Sequence, residues 1–297
     1  MRKELEALLG YAGRPLRFEG VKTVSEKDVG SAVLHDLAFQ THDGEVAPAW
    51  YAVPKNRASP MPAILYLHAH GKRFDIGRRE LFEGRPAVHQ PYFEVLIEAG
   101  FAILCIEMPC FAARQTPDES ARVKAHLWHG TTLFGRMIHE LRCGMTFLAE
   151  QSEIDESRIG VYGLSMGGTQ AYWLAALDAR VACAASLCCF SDLACLIETG
   201  QHDMHGHYMV VPGLLKRFST GKIAGLAAPT PLLICAGLQD WSSPKACFEL
   251  ARDELAAAYA AASAETQLYF HVDDAVGHIE TPAMHDAVMQ FFRRSLQ

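Results

Sequence analysis

A serine between two glycines is the residue of this chain best placed for chemistry. Gly163, Ser165 and Gly167 form a G-x-S-x-G pattern that follows an apolar run and precedes a helical pattern. A sharp strand-to-helix turn of this kind exposes a serine hydroxyl above a sheet, and the first backbone N–H of the helix can bind a negatively charged oxygen. The pattern therefore predicts Ser165 as a nucleophile and the backbone N–H of Met166 as an oxyanion-hole donor.

A serine nucleophile needs a base, and the base needs an acid that orients it. In folds with this strand–turn–helix pattern, the acid and then the histidine follow the serine along the chain. Asp240 follows the predicted strand 232–236, and His278 follows the predicted strand 267–272. Asp240 and His278 are the predicted acid and base.

Three other carboxylates compete with Asp240. Asp192 follows an earlier predicted strand, at the position that some lipases use for the acid, and Asp273 and Asp274 lie close to the histidine in sequence. Asp240 is preferred because its strand directly precedes the strand that leads to His278. The two loops are therefore expected at the same edge of the sheet.

The loop after the predicted strand 63–67 is expected to supply the second oxyanion-hole donor. It reads His68-Ala69-His70-Gly71-Lys72. The glycine lets the backbone approach a substrate, and the backbone N–H of Lys72 is the predicted donor. Two histidines at i, i+2 spacing are not a metal site by themselves, so His68 and His70 are expected to brace the loop by hydrogen bonds.

His202, His205 and His207 allow two interpretations. They could be zinc ligands, or they could line a pocket and take part in hydrogen bonds. No cysteine or carboxylate pattern completes a coordination shell, which favours the second interpretation. No metal and no cofactor are expected.

Five residues near these motifs also leave two interpretations open. Arg73, Arg78 and Arg79 could recognise a substrate carboxylate or form a solvated face. Trp128 and His129 could line an acyl site or simply pack.

Apolar runs and helical patterns alternate along most of the chain. After a predicted helix at 3–11 and a polar connection to residue 30, two alternating stretches around an Asp-Gly turn predict an antiparallel hairpin over 32–40 and 46–53. Continuous apolar runs predict strands buried on both faces at 63–67, 101–106, 159–162, 181–187, 232–236 and 267–272. Helices are predicted at 91–99, 130–150, 166–177, 244–262 and 282–295. This order predicts an α/β fold with a mostly parallel central sheet and helices on both faces.

Residues 190–228 interrupt the alternation with three histidines, a Val-Pro-Gly and no clear strand. A stretch of this length between two strands is more often a lid or pocket wall than an idle loop. We therefore predict one domain over 1–297 with a lid or cap inserted at 190–228.

The composition of the chain argues against several classes of function. The chain has 297 residues, half of them apolar, and a net charge of −7. No basic cluster is present, which argues against nucleic-acid binding. No apolar run approaches the length of a membrane helix, and the N-terminus lacks the apolar stretch of a secretion signal. We expect a small-molecule substrate and no membrane partner, with a homo-oligomer left open.

Nine cysteines lie mostly in apolar strings, and none forms a C-x-x-C pair. All nine are expected to be small buried hydrophobic residues. Free thiols suit a reducing compartment, so the predicted location is the cytoplasm.

The Gly-Leu-Ser-Met-Gly-Gly turn, the His-Gly loop and the late aspartate and histidine together resemble the α/β-hydrolase superfamily. Over residues 30–297 the chain looks most like dienelactone-hydrolase-like and acetyl-xylan-esterase-like serine esterases, with prolyl-oligopeptidase-type domains as more distant relatives. The resemblance implies hydrolysis of a small or medium-sized carboxylic ester through an acyl-enzyme. Ser165 departs from the cysteine nucleophile of dienelactone hydrolases proper. Residues 107–111, Glu-Met-Pro-Cys-Phe, replace an aspartate and glycines of many relatives.

Other functions remain open on the same fold: an amide, peptide or lactone hydrolase, a lyase, or a non-catalytic binding protein. A prolyl-oligopeptidase-type peptidase normally carries a propeller, and about 30 residues before the hairpin leave no room for one. Binding proteins on this scaffold usually lose members of the triad, and all three residue types are present here.

Overall fold

The architecture is built around one nine-stranded sheet in the computed structural model, which describes residues 1–56 and 59–297. Its strands are β1 (Gly20–Val29), β2 (Ala32–Gln40), β3 (Val46–Pro54), β4 (Met61–Leu67), β5 (Ala102–Ile106), β6 (Ile154–Leu164), β7 (Val181–Leu187), β8 (Leu232–Gly237) and β9 (Leu268–Asp273). The strand order across the sheet is β1-β2-β3-β5-β4-β6-β7-β8-β9. The first three strands pair antiparallel, β3 also pairs antiparallel with β5, and β4 to β9 run parallel.

Helices cover both faces of this sheet. They are α1 (Arg2–Leu9), α2 (Glu80–Glu83), α3 (Tyr92–Glu98), α4 (Glu119–Trp128), α5 (Leu133–Ala149), α6 (Met166–Leu177), α7 (Leu193–Glu198), α8 (Thr220–Gly225), α9 (Lys245–Ala261) and α10 (Pro282–Leu296). One apolar layer contains side chains of α1, α5, α6, α8 and α9, and the other contains side chains of α2, α3 and α10. The predicted fold class is confirmed. None of the described helices is long and apolar enough to span a membrane.

Five elements were not predicted: the strand β1 and the helices α2, α4, α7 and α8. The polar connection expected before residue 30 is wrong, because Gly20–Val29 forms β1. This strand lies at the edge of the sheet and most of its residues are exposed, so it shows no apolar alternation; charged side chains are typical of such an edge. The helix α4 also lacks a clear apolar face, since Val123 is its one buried apolar residue.

The expectation that all nine cysteines are thiols is wrong for two of them. Cys195 and Cys247 form a disulfide that joins α7 to α9 across 52 residues of sequence. The other seven are free, and six of these are buried. Spacing along the chain could not reveal this pair, because the two residues meet only after the fold brings α7 against α9. The disulfide also removes the argument from free thiols for a reducing compartment.

Candidate active site

Ser165 lies on a strained turn between β6 and α6. Its backbone has φ 57° and ψ −117°, a conformation that a residue with a side chain adopts only when the surrounding structure imposes it. The flanking glycines are required by close contacts. A Cβ on Gly163 would lie 2.2 Å from the carbonyl carbon of Gly167, and a Cβ on Gly167 would lie 2.0 Å from the Leu67 oxygen. The turn therefore holds Ser165 between the end of a buried strand and the start of a helix.

Met166 is the first residue of α6. The N–H groups in the first turn of a helix have no acceptor within the helix, and they carry its partial positive charge. The Met166 N–H therefore has no acceptor within the helix and is free for an acceptor outside it.

Asp240 and His278 are neighbours in space although 38 residues separate them in sequence. Asp240 Oδ2 lies 2.8 Å from His278 Nδ1. The carboxylate is buried, whereas the imidazole is one-fifth exposed. A buried carboxylate at Nδ1 fixes the proton on that nitrogen and leaves Nε2 free to act as a base.

Ser242 belongs to this arrangement and was not among the predicted site residues. Its hydroxyl donates to Asp240 Oδ1 at 2.7 Å and lies 2.9 Å from His278 Nδ1, and its backbone N–H donates to Asp240 Oδ1 at 2.8 Å. An aspartate that accepts from the backbone two residues later is a common turn, so the Asp-Trp-Ser sequence carried a usable signal. These bonds leave Asp240 Oδ2 directed at the histidine.

Two of the three competing carboxylates have other partners. Asp192 is the N-cap of α7 and accepts the N–H of Cys195 at 3.0 Å. Asp273 Oδ1 accepts the N–H of Ala275 at 2.9 Å. Both carboxylates are used in local turns.

Two histidines brace the loop after β4. Burial lowers the pKa of His68 to about 3, so its ring is neutral, and its Nε2 accepts the N–H of Met108 at 3.1 Å. His70 Nε2 lies 2.5 Å from Glu119 Oε2, and His70 Nδ1 accepts the N–H of Lys72 at 3.0 Å. The predicted oxyanion donor is thus already bonded inside its own loop.

A cavity of about 220 Å³ opens at Ser165 and His278. Segment 190–228 contributes much of its wall, and most of that contribution is apolar. The lining residues from this segment are Ser191, Leu193, Leu196, Met204, His205, Gly206, Tyr208 and Met209. A second cavity of about 310 Å³, lined by Arg85, Pro86 and Ala87 among others, also reaches Ser165 and His278. Both cavities therefore adjoin Ser165 and His278.

The three histidines of segment 190–228 do not converge on one point. His205 Nε2 lies 3.0 Å from the Ser242 carbonyl oxygen, and burial lowers the pKa of His205. The ring of His202 packs against His205, and the side chain of His207 is largely exposed. Within residues 1–56 and 59–297, no three His, Cys, Asp or Glu side chains are grouped as metal ligands would be.

The arginines considered as substrate-binding residues pair with carboxylates of the chain itself, in the pairs Arg73–Asp75, Arg78–Asp36 and Arg79–Glu83. Trp128 ends α4 with 89% of its surface exposed. It neither lines the cavity at Ser165 nor packs in a core.

A sequence model of the dienelactone hydrolase family matches residues 84–278, which is more than half of the chain and includes Ser165, Asp240 and His278. The chain belongs to the dienelactone hydrolase family. The resemblance predicted from the motifs is thereby confirmed.

This member of the dienelactone hydrolase family is similar to two bacterial proteins over most of its length. It is 34% identical to YtaP of Bacillus subtilis (strain 168) over 298 residues, which covers 99% of this chain and 98% of YtaP. It is 24% identical to the esterase YjfP of Escherichia coli (strain K12) over 267 residues, covering 84% of this chain and 95% of YjfP.

Solved structures of esterases share its fold. A glucuronoyl esterase from Solibacter usitatus matches with a TM-score of 0.72 and 16% identity, covering 100% of this chain and 92% of the other. Acetyl xylan esterase 1 from Thermoanaerobacterium sp. matches with a TM-score of 0.66 and 18% identity, again covering 100% and 92%. At such identities the likeness shows the α/β-hydrolase fold alone.

Proposed function

We propose that this chain hydrolyses carboxylic esters through an acyl-enzyme formed on Ser165. The observation that carries the proposal is the buried Asp240 carboxylate 2.8 Å from His278 Nδ1, at a cavity that Ser165 also lines. Membership of the dienelactone hydrolase family supports ester hydrolysis, as does the relative YjfP, which is named an esterase.

In the proposed reaction, the Ser165 hydroxyl oxygen attacks the ester carbonyl carbon while His278 Nε2 takes the hydroxyl proton. The Asp240 carboxylate stabilises the imidazolium and holds its Nδ1–H. The N–H groups of Met166 and Lys72 bind the oxyanion, the latter by turning from His70 Nδ1. His278 then gives its proton to the departing alkoxide, and a water molecule activated by the same imidazole releases the acid.

The apolar cavity wall supports the proposal that the substrate is an ester with a small or medium-sized apolar group, called its apolar limb below. Leu193, Leu196, Met204 and Met209 offer no charge to that limb, and burial of each CH₂ group contributes about 0.8 kcal/mol. We propose in addition that segment 190–228 acts as a lid over this limb, within a single domain.

The first test is a panel of p-nitrophenyl esters of increasing acyl length, combined with a fluorophosphonate label and mass spectrometry. Activity is expected to rise from acetate toward medium chains as the apolar wall is filled. The label is expected on Ser165, and Ser165→Ala should lower kcat about 10³-fold or more.

Ser191→Ala is the matched control, because Ser191 lines the same cavity and its hydroxyl bonds to Ser243. It should retain labelling and most of the activity. Labelling of another residue, or an active S165A variant, would contradict the proposal. Hydrolysis of anilides or lactones in preference to all open-chain esters would favour the other hydrolase functions.

A further inference from the structure

Glu119 is a buried carboxylate at the start of α4, outside the predicted triad. Its two oxygens contact two different parts of the site. Oε2 lies 2.5 Å from His70 Nε2 in the loop after β4, and Oε1 accepts the backbone N–H of His207, in segment 190–228, at 2.6 Å. One carboxylate therefore joins three separate segments.

The hydrogen bonds determine the tautomer of His70. The Lys72 N–H can only donate, so His70 Nδ1 must be the acceptor, and the ring proton must be on Nε2, facing Glu119. Burial by itself raises the pKa of Glu119, but the bonds from His70 and His207 outweigh burial and the pKa is lowered overall. The carboxylate is thus ionised and accepts on both oxygens.

Packing around His70 adds to this connection. The ring of Tyr208 stacks on His70 with centroids 5.2 Å apart. A Cβ on Gly206 would lie 2.9 Å from His70 Nε2, so the backbone of segment 190–228 approaches the ring closely. His70, Gly206 and Tyr208 all line the cavity that reaches Ser165.

We propose that Glu119 is a positioning residue. Through His70 it holds the oxyanion loop, residues 68–72, and through the His207 N–H it holds segment 190–228, so that both keep a fixed position relative to Ser165. This inference rests on the proposed function, since it assigns Glu119 to the binding of the oxyanion of that reaction. Glu119 keeps the proton of His70 on Nε2, so Nδ1 remains the acceptor that holds the Lys72 N–H until the substrate oxyanion replaces it.

The test is Glu119→Gln, which keeps the shape but presents an NH₂ group to one of two N–H donors. Either one of the two hydrogen bonds is then lost, or His70 moves its proton to Nδ1 and loses the hydrogen bond from the Lys72 N–H. We expect kcat/KM to fall about 10- to 100-fold, less than the ~10²–10³-fold that loss of an oxyanion donor itself costs. The Ki of a trifluoromethyl ketone, which forms an oxyanion on the serine, should rise by the same factor, whereas KM should change by less.

Asp118→Asn is the matched control. Asp118 is the adjacent, exposed N-cap of α4, and asparagine caps a helix equally well, so activity should remain within twofold of wild type. His70→Asn places an amide oxygen near the Nδ1 position but does not reach Glu119. If Glu119 affects oxyanion binding through His70, the double variant E119Q/H70N should be no more impaired than the worse of the two single variants.

A second readout does not depend on activity. Amide hydrogen exchange should increase around residues 70–74 and 205–209 in E119Q but not in D118N. Faster exchange with an unchanged ketone Ki, or kcat/KM within twofold of wild type, would overturn the proposal. Failure of the proposed function would look different, since the wild-type protein itself would then neither hydrolyse esters nor react with fluorophosphonate at Ser165.

Discussion

At the scale of single residues, the proposed chemistry depends on the carboxylate that contacts His278. Asp240 meets the imidazole at Nδ1, and the Ser242 hydroxyl and N–H both donate to its other oxygen. Asp192 instead caps α7. The two aspartates, both following parallel strands, therefore have different predicted consequences when they are changed.

Asp240→Asn should leave the fold intact and lower kcat strongly, since an amide NH₂ facing Nδ1 favours the wrong imidazole tautomer. The equivalent change in a well-studied serine protease costs about 10⁴-fold. Asp192→Asn should cost little, because asparagine is a good N-cap. Both variants are measured on one ester at neutral pH. A strongly lowered kcat in D192N together with a nearly normal kcat in D240N would show that Asp240 is wrongly assigned as the third triad member.

Glu107 provides a second prediction at this scale. Burial raises the pKa of Glu107 from 4.5 to about 7, although the Arg78 N–H and nearby arginines act in the opposite direction. Between these pH values the folded protein binds more protons than the unfolded chain, so this residue makes stability fall as pH rises from about 4.5 to 7.

Glu107→Gln should remove the part of the pH-dependent decrease in stability that comes from Glu107. Relative to E107Q, the wild-type protein should lose up to about 3 kcal/mol of unfolding free energy between pH 4.5 and pH 8. Urea unfolding of both proteins at the two pH values measures the difference. Glu83 is exposed, so Glu83→Gln serves as the control and should show the same change in unfolding free energy with pH as the wild-type protein. Parallel curves for E107Q and wild type would contradict the assignment.

At the scale of elements, a covalent bond and a hydrogen bond to Cys247 attach α7 and its N-cap to α9. The disulfide joins Cys195 of α7 to Cys247 of α9, and the backbone N–H of Asp192 donates to the Cys247 oxygen. Leu193 and Leu196 of the same helix line the cavity at Ser165. The wall that faces the substrate is therefore attached to the body of the protein through α9.

Breaking this link should destabilise the protein. A disulfide that spans 52 residues is expected to contribute about 2–4 kcal/mol, mainly by restricting the unfolded chain. Reductant should lower the urea midpoint of the wild-type protein, and the double variant C195S/C247S should show the lower midpoint with or without reductant. A wild-type midpoint that does not change in reductant would argue that the two thiols are not joined in solution.

At the scale of the whole molecule, the parallel part of the sheet brings the residues of the candidate site together. The loops after β4, β6, β7, β8 and β9 leave the same edge because these strands run in one direction. They carry Lys72, Ser165, Ser191, Asp240 and His278 to one place. The two apolar layers on opposite faces of the sheet keep that edge in position.

The sequence by itself was sufficient for what depends on local pattern and chain order. Buried strands leave continuous apolar runs, helices leave periodic ones, and the strand–Gly-x-Ser-x-Gly–helix turn is contiguous in the chain. The parallel sheet and the positions of Ser165, Asp240 and His278 after their strands could therefore be predicted. Their joint role in catalysis stays a prediction until the variants are measured.

The tertiary structure decided what depends on side chains meeting across long stretches of chain. Glu119 and His70 are 49 residues apart, and Cys195 and Cys247 are 52 apart, so neither spacing carries a signal. The edge strand β1 was missed for a related reason. Its hydrogen bonds to β2, rather than apolar side chains of its own, make it a strand, and the partner of a hydrogen bond is known only when the chain has folded.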